Sequence, residues 1–300
     1  MKQVIVVFYL CMSFFVGFAN AAEQTTDETR KPLLMGLIPE QNIFKQVAVY
    51  EPLANYLASK IGMDIKLRLL TRYGNIVDNY VSEQLDMAFF GSFSYVLAHA
   101  KLGVEVLARP EWLDGTSTYY GMIFVRKDSG IRTAKDMEGK KFAFVDKATT
   151  AGYLLPLAYF KKNGINDYKT YFKETYFTGT HEDAIYDVIN GKADIGAAKD
   201  TIFFKLANTD NRLSEDLMIL DKSPDVPANA LAVRKDLDEA LKKKLRETLI
   251  NMHDDPEAKE ILANFGAKRF IKTTLADYNP VLTYCKEINL DLATYDYMNE

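Results

Sequence analysis

The chain has 300 residues and a formal net charge of −4, because 37 Lys and Arg residues are set against 41 Asp and Glu residues. A mildly acidic chain without basic clusters argues against nucleic acid as a partner. Two cysteines, Cys11 and Cys285, and three widely spaced histidines are too few for a disulfide framework or a His/Cys metal cluster.

The first 21 residues have the pattern of a secretory signal peptide. Lys2 precedes an apolar run from Val4 to Phe18, and Ala19-Asn-Ala21 forms an A-x-A cleavage pattern. The run is too short, and too directly followed by that pattern, to favour a membrane anchor. We therefore expect a protein secreted to the periplasm, with only Cys285 left after cleavage and no internal disulfide.

From Pro32 onward, short apolar strands alternate with segments of helical periodicity. The first strand is predicted over Leu33–Ile38, and the helix after it ends at Gly62. Further strands are predicted over Met63–Leu70, Met87–Phe90, Val104–Ala108, Met122–Val125, Lys141–Val145 and Ala230–Val233, and C-terminal helices over Leu241–Met252, Pro256–Phe265 and Tyr278–Leu292. This alternation indicates βαβ units and mostly parallel sheets, in a chain too long for most single cores.

Two internal echoes suggest how the chain is divided. Glu83-Gln-Leu-Asp-Met-Ala88 resembles Gly191-Lys-Ala-Asp-Ile-Gly196, and Val125-Arg-Lys-Asp128 resembles Val233-Arg-Lys-Asp236. Each of the two repeats could arise by chance on its own, but the second pair brackets a block of domain size. We predict lobe 1 from residues 32–125 and 230–300, lobe 2 from residues 126–229, and two crossing strands as the hinge.

The segment Asp146-Lys-Ala-Thr-Thr-Ala-Gly-Tyr-Leu-Leu-Pro156, called the anion loop below, is predicted to join a buried strand to a helix. Thr149 and Thr150 stand at the predicted N-cap. Free backbone N–H groups, two hydroxyls and the positive end of a helix dipole suit a small tetrahedral oxyanion. The alternative is a helix cap that binds no ligand.

In open α/β sheets, ligands bind at the carboxyl ends of the strands, so polar residues at these ends are candidate ligand contacts, hydrogen-bond donors above all. His181 is at the start of a predicted helix, where it can donate a hydrogen bond to an anion. The alternative is that it caps the helix or lies on the surface. The polar residues at or near predicted strand ends are Glu40, Gln41, Tyr73, Ser92, Tyr119, Thr149, Thr150, His181, Lys199 and Asp200.

Catalytic and cofactor motifs are missing from the sequence. There is no G-x-S-x-G segment, no P-loop and no metal-spaced His/Cys cluster. The three histidines and Cys285 offer no nucleophile–base pair. We therefore expect a binding protein without a cofactor or a metal, and a periplasmic enzyme is the less favoured alternative.

The chain resembles the substrate-binding proteins of phosphate, phosphite and phosphonate ABC transporters, of the phosphonate-binding type. The family's Asp-Pro-x-Ser-Thr-Ser-Gly-x-x-x-Pro segment is similar to the anion loop. Other matching segments are Lys127-Asp-Ser-Gly-Ile131, Asp136-Met-Glu-Gly-Lys-Lys-Phe-Ala-Phe144, Gly179-Thr-His-Glu182, Asp194-Ile-Gly-Ala197 and Ser223-Pro-x-x-Pro227. The resemblance implies an α/β, two-lobed type II periplasmic binding protein.

The resemblance also implies which residues hold the ligand. The phosphonate oxygens are expected to contact Thr149, Thr150, Tyr73, Tyr119 and His181, with Ser92, Asp200 and Asn229 completing the predicted site. Ala151 replaces a serine of the family's loop, and Lys199-Asp200 stands where the ligand's substituent is contacted. Asn229 stands where a binder of aminophosphonates is expected to carry an acid. A compact ligand without an amine is therefore predicted.

The predicted function is capture of a small phosphorus oxyanion or phosphonate in the periplasm for an ABC importer, with an inner-membrane permease as the partner. The same fold also serves as a ligand sensor for membrane kinases. A periplasmic partner of a histidine kinase is therefore the alternative function.

Overall fold

The computed structural model describes residues 31–82 and 84–299, so the predicted signal peptide lies outside the described residues. In chain order the strands are β1 Leu33–Leu37, β2 Ile65–Leu69, β3 Met87–Phe90, β4 Glu105–Trp112, β5 Thr118–Tyr119, β6 Gly121–Arg126, β7 Lys141–Phe144, β8 Glu174–Phe177, β9 Ile195–Lys199, β10 Leu217–Lys222, β11 Val226–Pro227, β12 Ala230–Val233 and β13 Ala267–Lys272.

The α-helices lie between these strands and after the last of them. They are α1 Ile43–Ile61, α2 Asn75–Ser82, α3 Ser92–Leu102, α4 Leu155–Lys162, α5 Tyr168–Tyr171, α6 His181–Ile189, α7 Asp200–Ala207, α8 Arg212–Asp216, α9 Glu239–Asn251, α10 Lys259–Phe265 and α11 Asn279–Glu287. A π-helical turn, Thr150–Leu154, leads directly into α4.

The strands form two larger sheets, each with helices packed against it. The six-stranded sheet has the order β13-β4-β12-β3-β1-β2, and the five-stranded sheet has the order β10-β6-β9-β7-β8. The pairs β1–β2, β1–β3, β7–β8 and β7–β9 are parallel, whereas the remaining pairs of both sheets are antiparallel. The predicted α/β class is confirmed, but the sheets are mixed rather than mostly parallel. In the six-stranded sheet β12 runs antiparallel to β3 and β4, and in the five-stranded sheet β6 runs antiparallel to β9 and β10.

The chain passes from the six-stranded to the five-stranded sheet through residues 113–120 and returns through residues 223–229. These two segments contain β5 and β11, which pair antiparallel with Tyr119 opposite Val226. The predicted crossing strand Met122–Val125 lies inside the five-stranded sheet as part of β6. The residue boundaries predicted for the two lobes stay a prediction.

The helices bury apolar stripes at the spacing that the sequence predicts. In α1, Leu53, Leu57 and Ile61 are buried at four-residue intervals, and Gly62 ends the helix in the left-handed conformation with φ +73°. Apolar side chains form clusters on both faces of each sheet. The sheets are thus rigid supports for the loops at their strand ends.

The C-terminal tail, residues 293–299, runs across the anion loop. Tyr295 Oη donates to the Lys147 carbonyl oxygen at 2.8 Å, and Asn299 contacts both Lys147 and Asp146. The tail also reaches the helices of the six-stranded sheet, because Tyr297 Oη donates to Asp78 in α2. The tail therefore joins the anion loop to α2.

Candidate functional site

Residues from both large sheets and from the two connecting segments line one small cavity of about 10 Å³. Most of its lining residues follow β1, β2, β3, β7 and β8 or end β9, as the strand-end rule requires, whereas Tyr119 lies in β5 and Asn229 directly precedes β12. The lining residues are Glu40, Tyr73, Gly91, Ser94, Tyr119, Ala148, Thr149, Thr150, His181, Lys199 and Asn229.

Four helices begin at or beside residues that line this cavity. Gly91 is the N-cap of α3, Thr150 is the first residue of the π-helical turn, His181 is the first residue of α6, and Lys199 is the N-cap of α7. The positive ends of helix dipoles and the free N–H groups of first turns favour anions. The cavity is therefore suited to an anionic ligand.

The two threonines of the anion loop have different partners. Thr149 donates its hydroxyl to the Asp146 carbonyl oxygen at 2.6 Å, so its proton stabilises the turn. Thr150 accepts a hydrogen bond from the Phe93 N–H at 2.9 Å. A hydroxyl has one donor and two acceptor sites, so the proton of Thr150 is left to donate to a ligand.

His181 is buried and uncharged at neutral pH. Burial is the largest effect and lowers its pKa to about 3; Glu40 opposes this less strongly, and Lys199 adds a smaller lowering effect. Its Nδ1 accepts a hydrogen bond from the Lys199 N–H at 3.3 Å. The proton therefore lies on Nε2, which makes this nitrogen a neutral donor.

Two buried polar groups of the cavity have no hydrogen-bond partner among the described residues. They are the Tyr73 hydroxyl and the Asn229 Nδ2, on residues that are 2% and 5% exposed. Asn229 also helps to lower the pKa of Glu40, but its Nδ2 lies outside hydrogen-bond geometry with that carboxylate. Buried polar groups are normally satisfied, so an unpaired donor at a cavity indicates a missing acceptor. Burial raises the pKa of Tyr73, which keeps its phenol protonated and able to donate.

Lys199 and Glu40 form a buried ion pair at the cavity. Lys199 Nζ lies 2.9 Å from Glu40 Oε1 and 3.0 Å from Asn229 Oδ1. Desolvation opposes both charges, but the attraction prevails: the pKa of Glu40 is lowered and that of Lys199 is raised. The pair contributes no net charge.

The structure places six predicted site residues at the cavity: Tyr73, Tyr119, Thr149, Thr150, His181 and Asn229. Ser92 and Asp200 lie outside its lining. The Ser92 hydroxyl donates to the Pro227 carbonyl oxygen, and the Asp200 carboxylate accepts from the Tyr120 N–H at 3.2 Å. Asp200 instead faces a neighbouring cleft with Gln41 and Trp112.

Glu40, Ser94 and Lys199 line the cavity but were not among the predicted site residues. Glu40 and Lys199 lie at strand ends, so the sequence indicates them as candidate ligand contacts. It does not indicate that their side chains form an ion pair. Among residues 31–82 and 84–299 there is no group of three His, Cys, Asp or Glu side chains suited to a metal ion. No helix in the same ranges is long and apolar enough to cross a bilayer.

A family model described as "ABC transporter, phosphonate, periplasmic substrate-binding protein" matches residues 35–278. The phosphonates-binding periplasmic protein of Escherichia coli K12 is 27% identical over 245 residues, which are 80% of this chain and 72% of that protein. A crystal structure of a binding protein component of an ABC phosphonate transporter from Pseudomonas aeruginosa has a TM-score of 0.79 at 23% identity, covering 86% of this chain and 87% of that one.

A second solved structure is that of PhnD1 from Prochlorococcus marinus MIT 9301 in complex with methylphosphonate. Its TM-score is 0.75 at 23% identity, and the match covers 86% of this chain and 98% of that one. These two structures confirm the predicted two-lobed fold class, and the family model spans more than half of the chain. This chain therefore belongs to the family of periplasmic substrate-binding proteins of phosphonate ABC transporters.

Proposed function

We propose that this protein captures a small phosphorus oxyanion or phosphonate in the cavity at the anion loop. The main support is the convergence of four helix N-termini on that cavity. Their dipoles and N–H groups stabilise negative charge without an uncompensated cation. The ligand contacts are neutral donors: the Thr150 and Tyr73 hydroxyls, His181 Nε2 and Asn229 Nδ2.

Neutral donors suit a protein that must also release its ligand. A hydrogen bond to a charged group contributes about 1.5–3 kcal/mol, so a few of them hold the anion firmly. The Lys199–Glu40 pair adds no net charge to this set. The two unpaired donors, Tyr73 Oη and Asn229 Nδ2, acquire acceptors only when a ligand is bound.

The ligand lies between two lobes, made of residues 32–125 with 230–300 and of residues 126–229. The hinge lies at the short strands β5 and β11. Closure around a ligand at such a hinge excludes water. Small-angle X-ray scattering checks this motion: saturating ligand is expected to lower the radius of gyration, and an unchanged value contradicts hinge closure.

The protein acts in the periplasm after removal of a signal peptide of 21 residues, and it delivers ligand to the permease of an ABC importer. It has no enzymatic activity. The family match and the relatives give no support to the alternative partner, a histidine kinase. The genes beside the gene for this protein test the choice of partner. Permease and ATPase genes there would support the importer, whereas a histidine kinase gene in their place would contradict it.

The direct test is a thermal-shift panel with phosphate, phosphite, methylphosphonate, 2-aminoethylphosphonate, sulfate and arsenate. A ligand at 100 times its Kd stabilises by about 2.7 kcal/mol, which corresponds to roughly 5–10 °C for a chain of this size. At least one phosphorus oxyanion is expected to reach that shift. A panel without any such shift, or a shift with sulfate alone, contradicts the function. If ³¹P NMR spectra of a phosphonate incubated with the protein show no new phosphorus compound over time, they support the absence of catalysis.

A further inference from the structure

The Lys199 ammonium lies in a cage of three groups that are typical partners of an organic cation. Its Nζ is 2.9 Å from the Glu40 carboxylate, 3.0 Å from the Asn229 amide oxygen and 4.4 Å from the centre of the Tyr119 ring. A carboxylate, a carbonyl oxygen and an aromatic face are the groups that bind a desolvated ammonium. The Lys199 side chain is only 6% exposed.

The cage and the ammonium come from different parts of the fold. Glu40 follows β1, Tyr119 lies in β5 and Asn229 precedes β12, whereas Lys199 ends β9 of the five-stranded sheet. All four residues also line the cavity that holds the neutral donors of the anion site. The cage is therefore next to the place where a phosphonate's substituent would lie.

We propose that Lys199 takes the place of a ligand ammonium group and thereby sets the ligand class of the site. This inference rests on the proposed function. With the cage filled by the protein's own cation, the site accepts phosphite, phosphate or methylphosphonate and excludes aminoalkylphosphonates such as 2-aminoethylphosphonate. The specificity residue is Lys199, and Glu40, rather than Asp200, is the acid of the substituent region.

Two physical effects produce the exclusion. A second ammonium beside Lys199 would meet a like charge and a carboxylate that is already neutralised, and an unpaired buried charge costs several kcal/mol. The lysine stem also fills the space that an aminoethyl group would need, because Lys199 itself lines a cavity of only about 10 Å³. Removal of the lysine side chain to its Cβ relieves both effects and leaves Glu40 ready to pair with a new cation.

The test compares Lys199→Ala with Lys199→Met by calorimetric titration of methylphosphonate and 2-aminoethylphosphonate. The wild type is expected to bind methylphosphonate at least tenfold more tightly. Lys199→Ala opens the cage and is expected to raise the relative affinity for the amine ligand at least tenfold. Lys199→Met removes the charge but fills the space, so it is expected to produce no such gain. Lys205→Ala, at an exposed position of α7, is the matched control and is expected to behave as the wild type.

Chemical rescue gives a readout that a merely structural lysine would not change. Ethylammonium chloride is expected to restore the methylphosphonate affinity of Lys199→Ala toward that of the wild type. Sodium chloride at the same concentration is not expected to do so. A folded Lys199→Ala variant whose ligand ratio stays within threefold of the wild type overturns the inference, and so does an absence of rescue.

Wild-type titrations decide the matter even where the variants do not fold. Tenfold preference of the wild type for 2-aminoethylphosphonate contradicts a filled cage. Tenfold preference for phosphonoacetate over methylphosphonate assigns Lys199 to a ligand carboxylate and also overturns the inference. If the wild type binds no phosphorus oxyanion at all, the proposed function itself fails, which is distinct from a wild type that binds methylphosphonate while Lys199→Ala gains nothing.

Discussion

The backbone N–H of Phe93 donates a 2.9 Å hydrogen bond to the hydroxyl oxygen of Thr150, 57 positions later in the chain. Phe93 lies in the first turn of α3, which follows the six-stranded sheet, and Thr150 begins the helix that follows β7 of the five-stranded sheet. The threonine thus satisfies a free N–H of a helix in the other half of the fold. One hydroxyl joins two of the helix N-termini that meet at the cavity.

Replacement Thr150→Val keeps the shape of the side chain and removes the hydroxyl. The Phe93 N–H loses its acceptor and the ligand loses a donor, so affinity is expected to fall by about 1.5–3 kcal/mol, or roughly 10- to 150-fold. Calorimetry with the best ligand of the thermal-shift panel measures the change. Thr150→Ser keeps the hydroxyl and is the matched control. Equal affinity of Thr150→Val and the wild type would exclude the hydroxyl from the site.

The low pKa of His181 predicts a loss of stability in acid. Its folded-state pKa is about 3, below the usual 6.5. Between these two pH values, His181 is therefore protonated in the unfolded chain and neutral in the folded chain. Stability from this group is complete above pH 6.5 and falls with pH toward 3, by roughly 2 kcal/mol between pH 7 and pH 5. Urea denaturation at both pH values measures this loss.

The matched comparison for the histidine is His181→Asn against His99→Asn. The first variant lacks the buried titrating group, so it is expected to lose about 2 kcal/mol less than the wild type between pH 7 and pH 5. The second is expected to lose as much as the wild type. The prediction is wrong if His181→Asn and the wild type lose stability in parallel.

Much of the fold and the position of the site could be predicted from sequence, because alternating patterns define strands and helices locally. The strand-end rule then brings Tyr73, Thr150 and His181 to one region although they are far apart in the chain. Asn229 was assigned to the site by the family resemblance alone. The mixed direction of the sheets could not be predicted, since it depends on where β6 and β12 insert. The π-helical turn at Thr150 has no signal in the residue pattern.

The ion pair of Glu40 and Lys199 also required the structure. Glu40 follows β1 and Lys199 ends β9, but 159 positions separate them, and a charged residue at a strand end usually faces water. Lys199, the last residue of β9, pairs opposite Gly121 of β6, and its side chain lines the cavity. Sequence reasoning placed Lys199-Asp200 at the substituent region and named Asp200 as the site residue, but the Asp200 carboxylate accepts a hydrogen bond from the Tyr120 N–H instead.

The amide of Asn229 predicts a charge-dependent change in ligand choice. Its Oδ1 accepts from Lys199 and its Nδ2 is an unpaired buried donor. Asn229→Asp removes that donor and adds a negative charge, so methylphosphonate affinity is expected to fall at least tenfold. Affinity for 2-aminoethylphosphonate relative to methylphosphonate is expected to rise. Titration of both ligands checks this, with Asn208→Asp at the exposed end of α7 as the control.

A close backbone approach predicts that Gly152 tolerates no side chain. A Cβ on this residue would lie 2.4 Å from Val145, at the end of β7. Gly152→Ala must push the π-helical turn away from the strand, and overpacking of this kind costs about 1–3 kcal/mol. Chemical denaturation is expected to show that loss, and calorimetry is expected to show weaker oxyanion binding because the anion loop shifts. Unchanged stability would mean that the loop relaxes freely.

The C-terminal tail is expected to support the anion loop through Asn299. Asn299 Oδ1 accepts from the Lys147 N–H at 3.0 Å, and its Nδ2 donates to the Asp146 carboxylate at 3.0 Å. Asp146 has no exposed surface, and burial raises its pKa although the Ala148 N–H and Arg72 favour the charged form. A buried carboxylate that loses a donor is left partly unsatisfied.

Asn299→Ala is therefore expected to lower the free energy of unfolding by about 1–3 kcal/mol at pH 7 and to weaken oxyanion binding. The variant raises the folded-state pKa of Asp146 further. The stability difference from the wild type is therefore full at neutral pH and shrinks as pH falls through that pKa and the carboxyl becomes protonated. Urea denaturation from pH 7 to pH 4 measures this, with Asn163→Ala, at the exposed end of α4, as the control. A difference that grows toward pH 4, or one matched by Asn163→Ala, would show that Asn299 does not act through the charge of Asp146.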